Sequence, residues 1–477
     1  MSLKKIAVSG LIWTYGQMFG SQLLSFGVSI ILARLILPAE FGLIGMLSIF
    51  MGLGMALFNG GLTSSLIRSQ GLTSEDYSTV FFFNLVGSVI VFIVLFLCAP
   101  FIANFYNQPV LENICRVYGI SFVFSAFGAV QNTILIKEFQ FKKIFILTLP
   151  ALVISSFVAV IMASKGFGVW SLVASALVNT FCTSVFLWFA SGWRPKLLFH
   201  RKKFNQHFNY GYKMTLSGIL DIVYSNIYQI IIGKFYSAAL VGYYTRANTL
   251  MMLPVANISS SLNTVVFPLF SKVQDDIPRF KSIYKQIMLM VLFIITPIMV
   301  LMGVLAEPLI IFLFTEKWIS VVPIFRIICF TGVLFPIHSY NLMVLQAIGR
   351  SDLFLRLEVV KKFLGAVIII ISFYFGFYGL LWGQLVFSIL ALLINTHYAG
   401  QILKYKMWNQ LRDMIPIVGF AVITFIAVYY TDMLLFTQGN FSRLIVGSVV
   451  GVGVYLGAAG MMKYQSLQDI KNIILKK

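Results

Sequence analysis

Residues 77–111 read YSTVFFFNLVGSVIVFIVLFLCAPFIANFYNQPVL and contain no Asp, Glu, Lys or Arg. About 20 apolar helical residues cross the ~30 Å hydrocarbon core of a bilayer. A helix also satisfies its own backbone where no water is available. Runs of the same kind recur at 6–33, 41–67, 117–136, 144–164, 166–193, 247–271, 286–306, 327–349, 414–431 and 444–462. The run 363–403 is long enough for two helices and is broken by Phe375-Gly376-Phe377-Tyr378-Gly379. The stretch 213–233 joins the set if Asp221 is tolerated inside it. The fold class that follows is an all-α polytopic membrane protein of about 14 transmembrane helices.

Composition agrees. Of 477 residues 59% are hydrophobic and only 10% are charged, against roughly 25% charged in soluble domains. A soluble enzyme, a disordered chain and a secreted disulfide scaffold are excluded as wholes. The net charge of +20 would point to nucleic acid in a soluble protein. Here it reads as the positive-inside signature of a membrane protein, and no nucleic-acid partner is expected. With 14 crossings both termini share a side, and 27 of the 35 Lys and Arg fall in loops on that side. That asymmetry predicts cytoplasmic termini. The N-terminal run lacks a cleavage pattern and exceeds a signal-peptide core, so it reads as an uncleaved first helix.

The four cysteines, Cys98, Cys115, Cys182 and Cys329, are isolated in or beside apolar runs, and His200 and His207 lie in a basic loop without ligand spacing. No metal site is expected. The longest loop spans about Ser191 to Tyr210, and no external loop can form a domain. Glu75-Asp76 and Asp275-Asp276 are adjacent pairs suited to caps or solvated turns. These features disfavour an enzyme.

An internal repeat is visible. Ile30-Ile31-Leu32-Ala33-Arg34 overlays Ile230-Ile231-Ile232-Gly233-Lys234 at an offset of 200, with Ala39 on Ala239 and Gly42 on Gly242. Arg116 then matches Arg326 at 210, and Gly168-Val169-Trp170 resembles Gly379-Leu380-Leu381-Trp382. The organisation expected is an N-terminal lobe over 1–205 (helices 1–6) and a C-terminal lobe over 206–405 (helices 7–12). Two additional helices and a tail fill 406–477. Units of even helix number share an orientation, so a pseudo-two-fold along the membrane normal relates them, as in carriers whose two bundles rock about a central site.

Polar groups within the apolar runs are the candidate site. Asp221 is the one acid well inside a helix, where a charge costs about 2.5–3.5 kcal/mol on insertion scales. Lys213 precedes it by two turns, and Asn226 and Gln229 follow. These residues, with His338, are candidates for coupling or for lining a cavity; a structural interhelix pair is the alternative for Asp221. Arg34, Arg116, Lys234, Arg246 and Arg326 are candidate substrate-binding cations on the external side, where Arg suits phosphate through its fork. Snorkelling to headgroups is the competing reading. Gly52, Gly54, Gly60 and Gly61 permit close packing or bending, and prolines at 254, 268, 297, 323 and 336 can break helices.

Several segments resemble the Wzx-type polysaccharide (O-antigen and exopolysaccharide) flippases of the MATE-like superfamily, in the branch of colanic-acid and teichuronic-acid exporters. They are Ala33-Arg34-Leu35-Ile36-Leu37-Pro38-Ala39-Glu40-Phe41-Gly42, Gly61-Leu62 leading to Leu66-Ile67-Arg68, and Gln131-Asn132 with Lys137-Glu138-Phe139-Gln140-Phe141. Ile231-Ile232-Gly233 leading to Val241-Gly242-Tyr243-Tyr244, then Phe267-Pro268 and Glu316-Lys317-Trp318, complete the set. The resemblance implies a bacterial inner-membrane carrier with a cationic cavity in a two-lobed core. It would move undecaprenyl-pyrophosphate-linked oligosaccharides between leaflets, with a polysaccharide polymerase and glycosyltransferases as further partners beside membrane lipids. No cofactor is expected; the chain has no GxxxxGK[ST] stretch, which leaves a proton or sodium gradient as the energy source. The alternatives are a cation-coupled drug exporter or a lipid II flippase of the same superfamily and, from another class, a membrane enzyme of polyprenyl-linked glycan assembly. The drug exporters typically carry an acid in helix 1, and 6–33 has none.

Overall fold

The computed structural model describes residues 3–59 and 61–475; Met1, Ser2, Gly60, Lys476 and Lys477 lie outside them. The first helices are α1 (Leu3–Leu35), α2 (Pro38–Asn59), α3 (Leu62–Arg68), α4 (Ser74–Tyr106), α5 (Val110–Tyr118), α6 (Ile120–Lys137), α7 (Phe141–Ser164) and α8 (Val169–Ser191). Next come α9 (Arg201–Ser225), α10 (Ile227–Phe235), α11 (Ala238–Val273), α12 (Ile277–Val304) and α13 (Ala306–Phe314), followed by a 3-10 turn at Glu316–Trp318. The rest are α14 (Val321–Ala347), α15 (Ser351–Phe373), α16 (Gly376–Ile402), α17 (Met407–Leu434), α18 (Asn440–Met461) and α19 (Gln465–Leu475). No strand occurs among the described residues.

Among the described residues eleven spans are long and apolar enough to cross a membrane, with α5 and α6 counted as one, and the pair α9–α10, bent by 47°, makes twelve. The helices α11 and α15, of 36 and 23 residues, also have the length to cross, and of the two only α15 is strongly charged, with Asp352, Arg356, Glu358, Lys361 and Lys362. Fourteen crossings are consistent with this arrangement. Three sequence boundaries are corrected. The run 41–67 is two helices, because Gly61 turns the chain at φ +64°, where an added Cβ would stand only 2.5–3.0 Å from the Gly211 backbone. The basic loop is shorter than Ser191–Tyr210, since α9 begins at Arg201. The run 247–271 lies inside a helix that begins at Ala238, with Arg246 in it.

Several buried hydroxyls are satisfied locally. Ser78, Thr79, Thr133 and Thr396 each donate to a carbonyl four residues back, which lets polar side chains sit in lipid-embedded helices. The chain divides into two compact units, Met1–Gly242 and Tyr243–Lys477. In the first, α6 packs between α4 and α8, α7 joins α8 to α1, and α9 packs on α2 and α3. In the second, α14 packs on α12, α15 and α16, and α17 and α18 pack together and on α12.

The duplication has a backbone counterpart. Phe139 and Gly349, 210 apart, both end a helix in the left-handed region, at φ +56° and +74°. Gly166 and Gly376, also 210 apart, open the following turns at +81° and +75°. The match at this turn therefore runs through Gly166 and Gly376, at the offset of Arg116 and Arg326, and not through Gly168 and Gly379. Left-handed backbone is rare for residues with a Cβ, so recurrence at one offset is stronger support than apolar similarity.

Candidate functional site

Loops assigned to one side of the membrane do meet one another. In the first unit Glu40, in the first turn of α2, accepts hydrogen bonds from the Val169 amide (3.2 Å) and the Leu37 amide (3.1 Å). Lys234 donates to the Phe105 carbonyl at 2.7 Å and lies 4.7 Å from that ring's centre. On the opposite side Lys137 donates to the Leu66 carbonyl at 3.0 Å, and Lys203 reaches Glu75 at 3.1 Å and Asp76 at 2.9 Å.

The tightest approach lies at the turn side, where the first turns of α2 and α11 cross. A Cβ on Gly42 would overlap the Ala238 carbonyl and sit 3.0 Å from the Gly242 nitrogen; a Cβ on Gly242 would overlap the Pro38 carbonyl and sit 3.2 Å from the Gly42 nitrogen. Pro38 and Ala238, like Gly42 and Gly242, are 200 residues apart. Repeat-related backbones thus cross reciprocally, with a local two-fold between the glycines, and only glycine permits the distance.

Below this crossing the structure brings Asn226 and Gln229 together with Ser48 of α2. The Ser48 hydroxyl lies 2.9 Å from Asn226 Oδ1, 3.1 Å from Gln229 Oε1 and 2.7 Å from the Gly45 carbonyl, one proton facing three acceptors. Asn226 stands at the break between α9 and α10, where its side chain donates to the Ile222 carbonyl at 2.8 Å. Lys213 and Asp221 are exposed on α9, eight residues and about 12 Å apart along the axis.

The candidate cations divide. Arg116 is paired with Glu112 at 2.8 Å and lies over Phe96. Lys234 is held at Phe105, as above. Arg246 is buried, 5.2 Å from the ring centre of Phe314 and 5.5 Å from that of Trp318, within the range of cation–π attraction. Arg34 and Arg326 are exposed. His338 Nε2 lies 3.0 Å from Ser388 Oγ, and its Nδ1 is buried without a partner.

Two clusters escaped sequence reasoning. Trp318, fully buried, is the floor beneath Arg246; the Glu316-Lys317-Trp318 segment was visible, but not what it supports. His207, in the basic stretch, is buried beside Ser65 (2.8 Å) and Asp76 (3.5 Å). Asp76 completes a capping box with Thr73, the expected role, and also ties α9 to α4. Sequence separations of 72 residues for Arg246 and Trp318, and of 131 for Asp76 and His207, hide such pairs.

Comparison with known proteins matches this arrangement. The family described as "Polysaccharide biosynthesis protein" matches residues 31–323, and the chain belongs to it. The lipopolysaccharide biosynthesis protein WzxC of Escherichia coli (strain K12) is 23% identical over 78% of this chain and 76% of its own. The teichuronic acid biosynthesis protein TuaB of Bacillus subtilis (strain 168) is 25% identical over 61% of each chain. Among solved structures, the lipid II flippase MurJ in an inward closed conformation superposes with a TM-score of 0.76 at 17% identity, covering 96% of this chain and 99% of that one. The all-α polytopic fold expected from the apolar runs is thereby established as MurJ-like.

Proposed function

We propose that this member of the polysaccharide biosynthesis protein family is a flippase. It moves undecaprenyl-pyrophosphate-linked oligosaccharides from the cytoplasmic to the outer leaflet of the bacterial inner membrane by alternating access, and it is not an enzyme. The observation that carries the reading is the reciprocal Gly42–Gly242 crossing, a junction between repeat-related helices on one side of the membrane. A carrier needs a contact that closes one side and releases it in the other state. The kinship with WzxC and TuaB, named for the biosynthesis of lipopolysaccharide and teichuronic acid, supports the substrate class. The 27-to-8 division of cations supports cytoplasmic termini, which puts the glycine crossing on the external face.

In this reading the exposed Arg34 meets the pyrophosphate, and Lys234 and Arg246 are further candidate cations, while Arg116 is held by Glu112. Asp221, Lys213, Asn226, Gln229 and His338 are the coupling or cavity residues, driven by a proton or sodium gradient worth about 2.3 kcal/mol per charge per 100 mV. A polymerase and glycosyltransferases act on either side of the transport step. The test is reconstitution in liposomes with the lipid-linked oligosaccharide in the lumenal leaflet and an impermeant glycosidase outside. Imposed proton or sodium gradients should raise the cleaved fraction well above that of protein-free vesicles. Cleavage indistinguishable from those vesicles under both gradients would reject the function.

A further inference from the structure

In the second unit a cavity of about 310 Å³ opens between α12, α14 and α17. Its walls are Met299, Val300, Gly303 and Val304 of α12, Cys329, Phe330 and Val333 of α14, and Phe425 and Tyr429 of α17, with Arg326 the single charged group. All three helices contribute residues near the same end: α12 ends at Val304, α14 starts at Val321 and α17 ends at Leu434. Arg326 sits five residues inside α14, about 8 Å along the axis, the depth at which a long cationic side chain reaches the headgroup layer.

The repeat makes this arginine unusual. Its counterpart Arg116 is neutralised by Glu112 one turn earlier. The position equivalent to Glu112, 210 residues on, is Val322, which is buried. Arg326 is exposed, and no carboxylate among the described residues pairs with it. A guanidinium lacking a counter-ion at the lip of an otherwise apolar cavity selects an anion carried on a hydrocarbon chain.

We propose that this cavity is a binding site for an anionic glycerophospholipid of the leaflet on that side. Arg326 takes the headgroup phosphate through its fork, and one acyl chain lies against Phe330, Val333 and Phe425. The site is separate from the transport reading: a chain that failed the liposome assay would still bind phospholipid here.

Native mass spectrometry of the detergent-purified full chain tests it, with phosphatidylglycerol, phosphatidylcholine and inorganic phosphate as probes. The tightest phosphatidylglycerol adduct should weaken about tenfold or more in R326Q, the loss of one charge-assisted pair. It should also weaken in V333W, which fills the chain-binding wall and keeps the arginine. Phosphatidylcholine should bind less tightly, and inorganic phosphate should not displace the lipid. An adduct unchanged in R326Q overturns the proposal, and R326Q alone is decisive because the side chain is exposed and its loss leaves the fold intact. Equal binding of phosphatidylcholine, or displacement by phosphate, also overturns it, the first by removing anion selectivity and the second by showing a site for a free anion.

Discussion

Gly42→Ala is the most direct probe of the helix crossing. The added methyl would overlap the Ala238 carbonyl and stand 3.0 Å from the Gly242 nitrogen, and both are backbone atoms. No rotamer change can relieve such a clash, so α2 and α11 must separate by about 1 Å or more to restore ordinary contact. Overpacking of this kind costs about 1–3 kcal/mol. At about 2 kcal/mol, and with about 1.4 kcal/mol per tenfold, the closed arrangement loses about 30-fold in population relative to the open one. The assay replaces the four native cysteines and introduces Ala238→Cys, a position 8% exposed in this arrangement. Labelling by an impermeant maleimide should rise about 30-fold when Gly42→Ala is added, provided labelling follows opening. Gly242→Ala, its repeat mate, should behave alike, with polysaccharide export falling in both. Gly218→Ala is the control, because a Cβ there meets nothing within 4 Å and a helical Gly→Ala change is mildly favourable, by about 0.5–1 kcal/mol. Wild-type labelling and wild-type export in both Gly42→Ala and Gly242→Ala would refute the reasoning.

Three further outcomes are expected. Trp318→Ala should destabilise the protein by about 3–5 kcal/mol, read as thermal unfolding in detergent, because the ring is fully buried beneath Arg246; a loss under 1 kcal/mol would contradict that role. Asp432→Ala should cost about 3–5 kcal/mol, because it strands the buried Arg443, which Asp432 grips at 2.8 and 2.9 Å while Glu307 stands 3.8 Å away. The double replacement Asp432→Leu with Arg443→Met should recover most of that loss, and equal instability of the single and double variants would sink the argument. Asp221→Asn should leave insertion and thermal stability near wild type, because the side chain is exposed, while flattening the gradient dependence of the proposed ion-coupled transport; unchanged gradient dependence would show this acid to be dispensable.

Much of the fold was legible because lipid imposes length and polarity on each crossing independently. Most of the run 77–111 became α4, and the break expected at 375–379 falls at the two-residue turn 374–375 between α15 and α16, with 376–379 already in α16. Boundaries failed where a charge inside a helix was satisfied by something distant. Lys203 and His207 allowed α9 to start at Arg201 because Glu75, Asp76 and Ser65 receive them. Arg246 allowed α11 to start at Ala238 because Phe314 and Trp318 flank it. The candidate site was legible in its residue types only. Asn226 and Gln229 were visible as polar residues in an apolar run, but their neighbour Ser48 is one of many serines in the chain. The Gly42–Gly242 overlay was also visible, yet that the two meet cannot be read from their shared offset.

The packing of α9 has a consequence for how the protein is made. With Lys202, Lys203, His207, Lys213 and Asp221, followed by Asn226 at its break, this segment is a poor substrate for direct partitioning from the translocon into lipid. The surfaces that hold it, on α2, α3 and α4, have left the ribosome much earlier. The seventh crossing is therefore recruited into the bilayer by helices already in place, and the first unit is finished only when synthesis reaches Gly242. A ribosome stalled shortly after that residue would carry a protease-resistant half-protein, whereas a chain begun at Arg201 would leave its leading helix outside the bilayer, open to degradation.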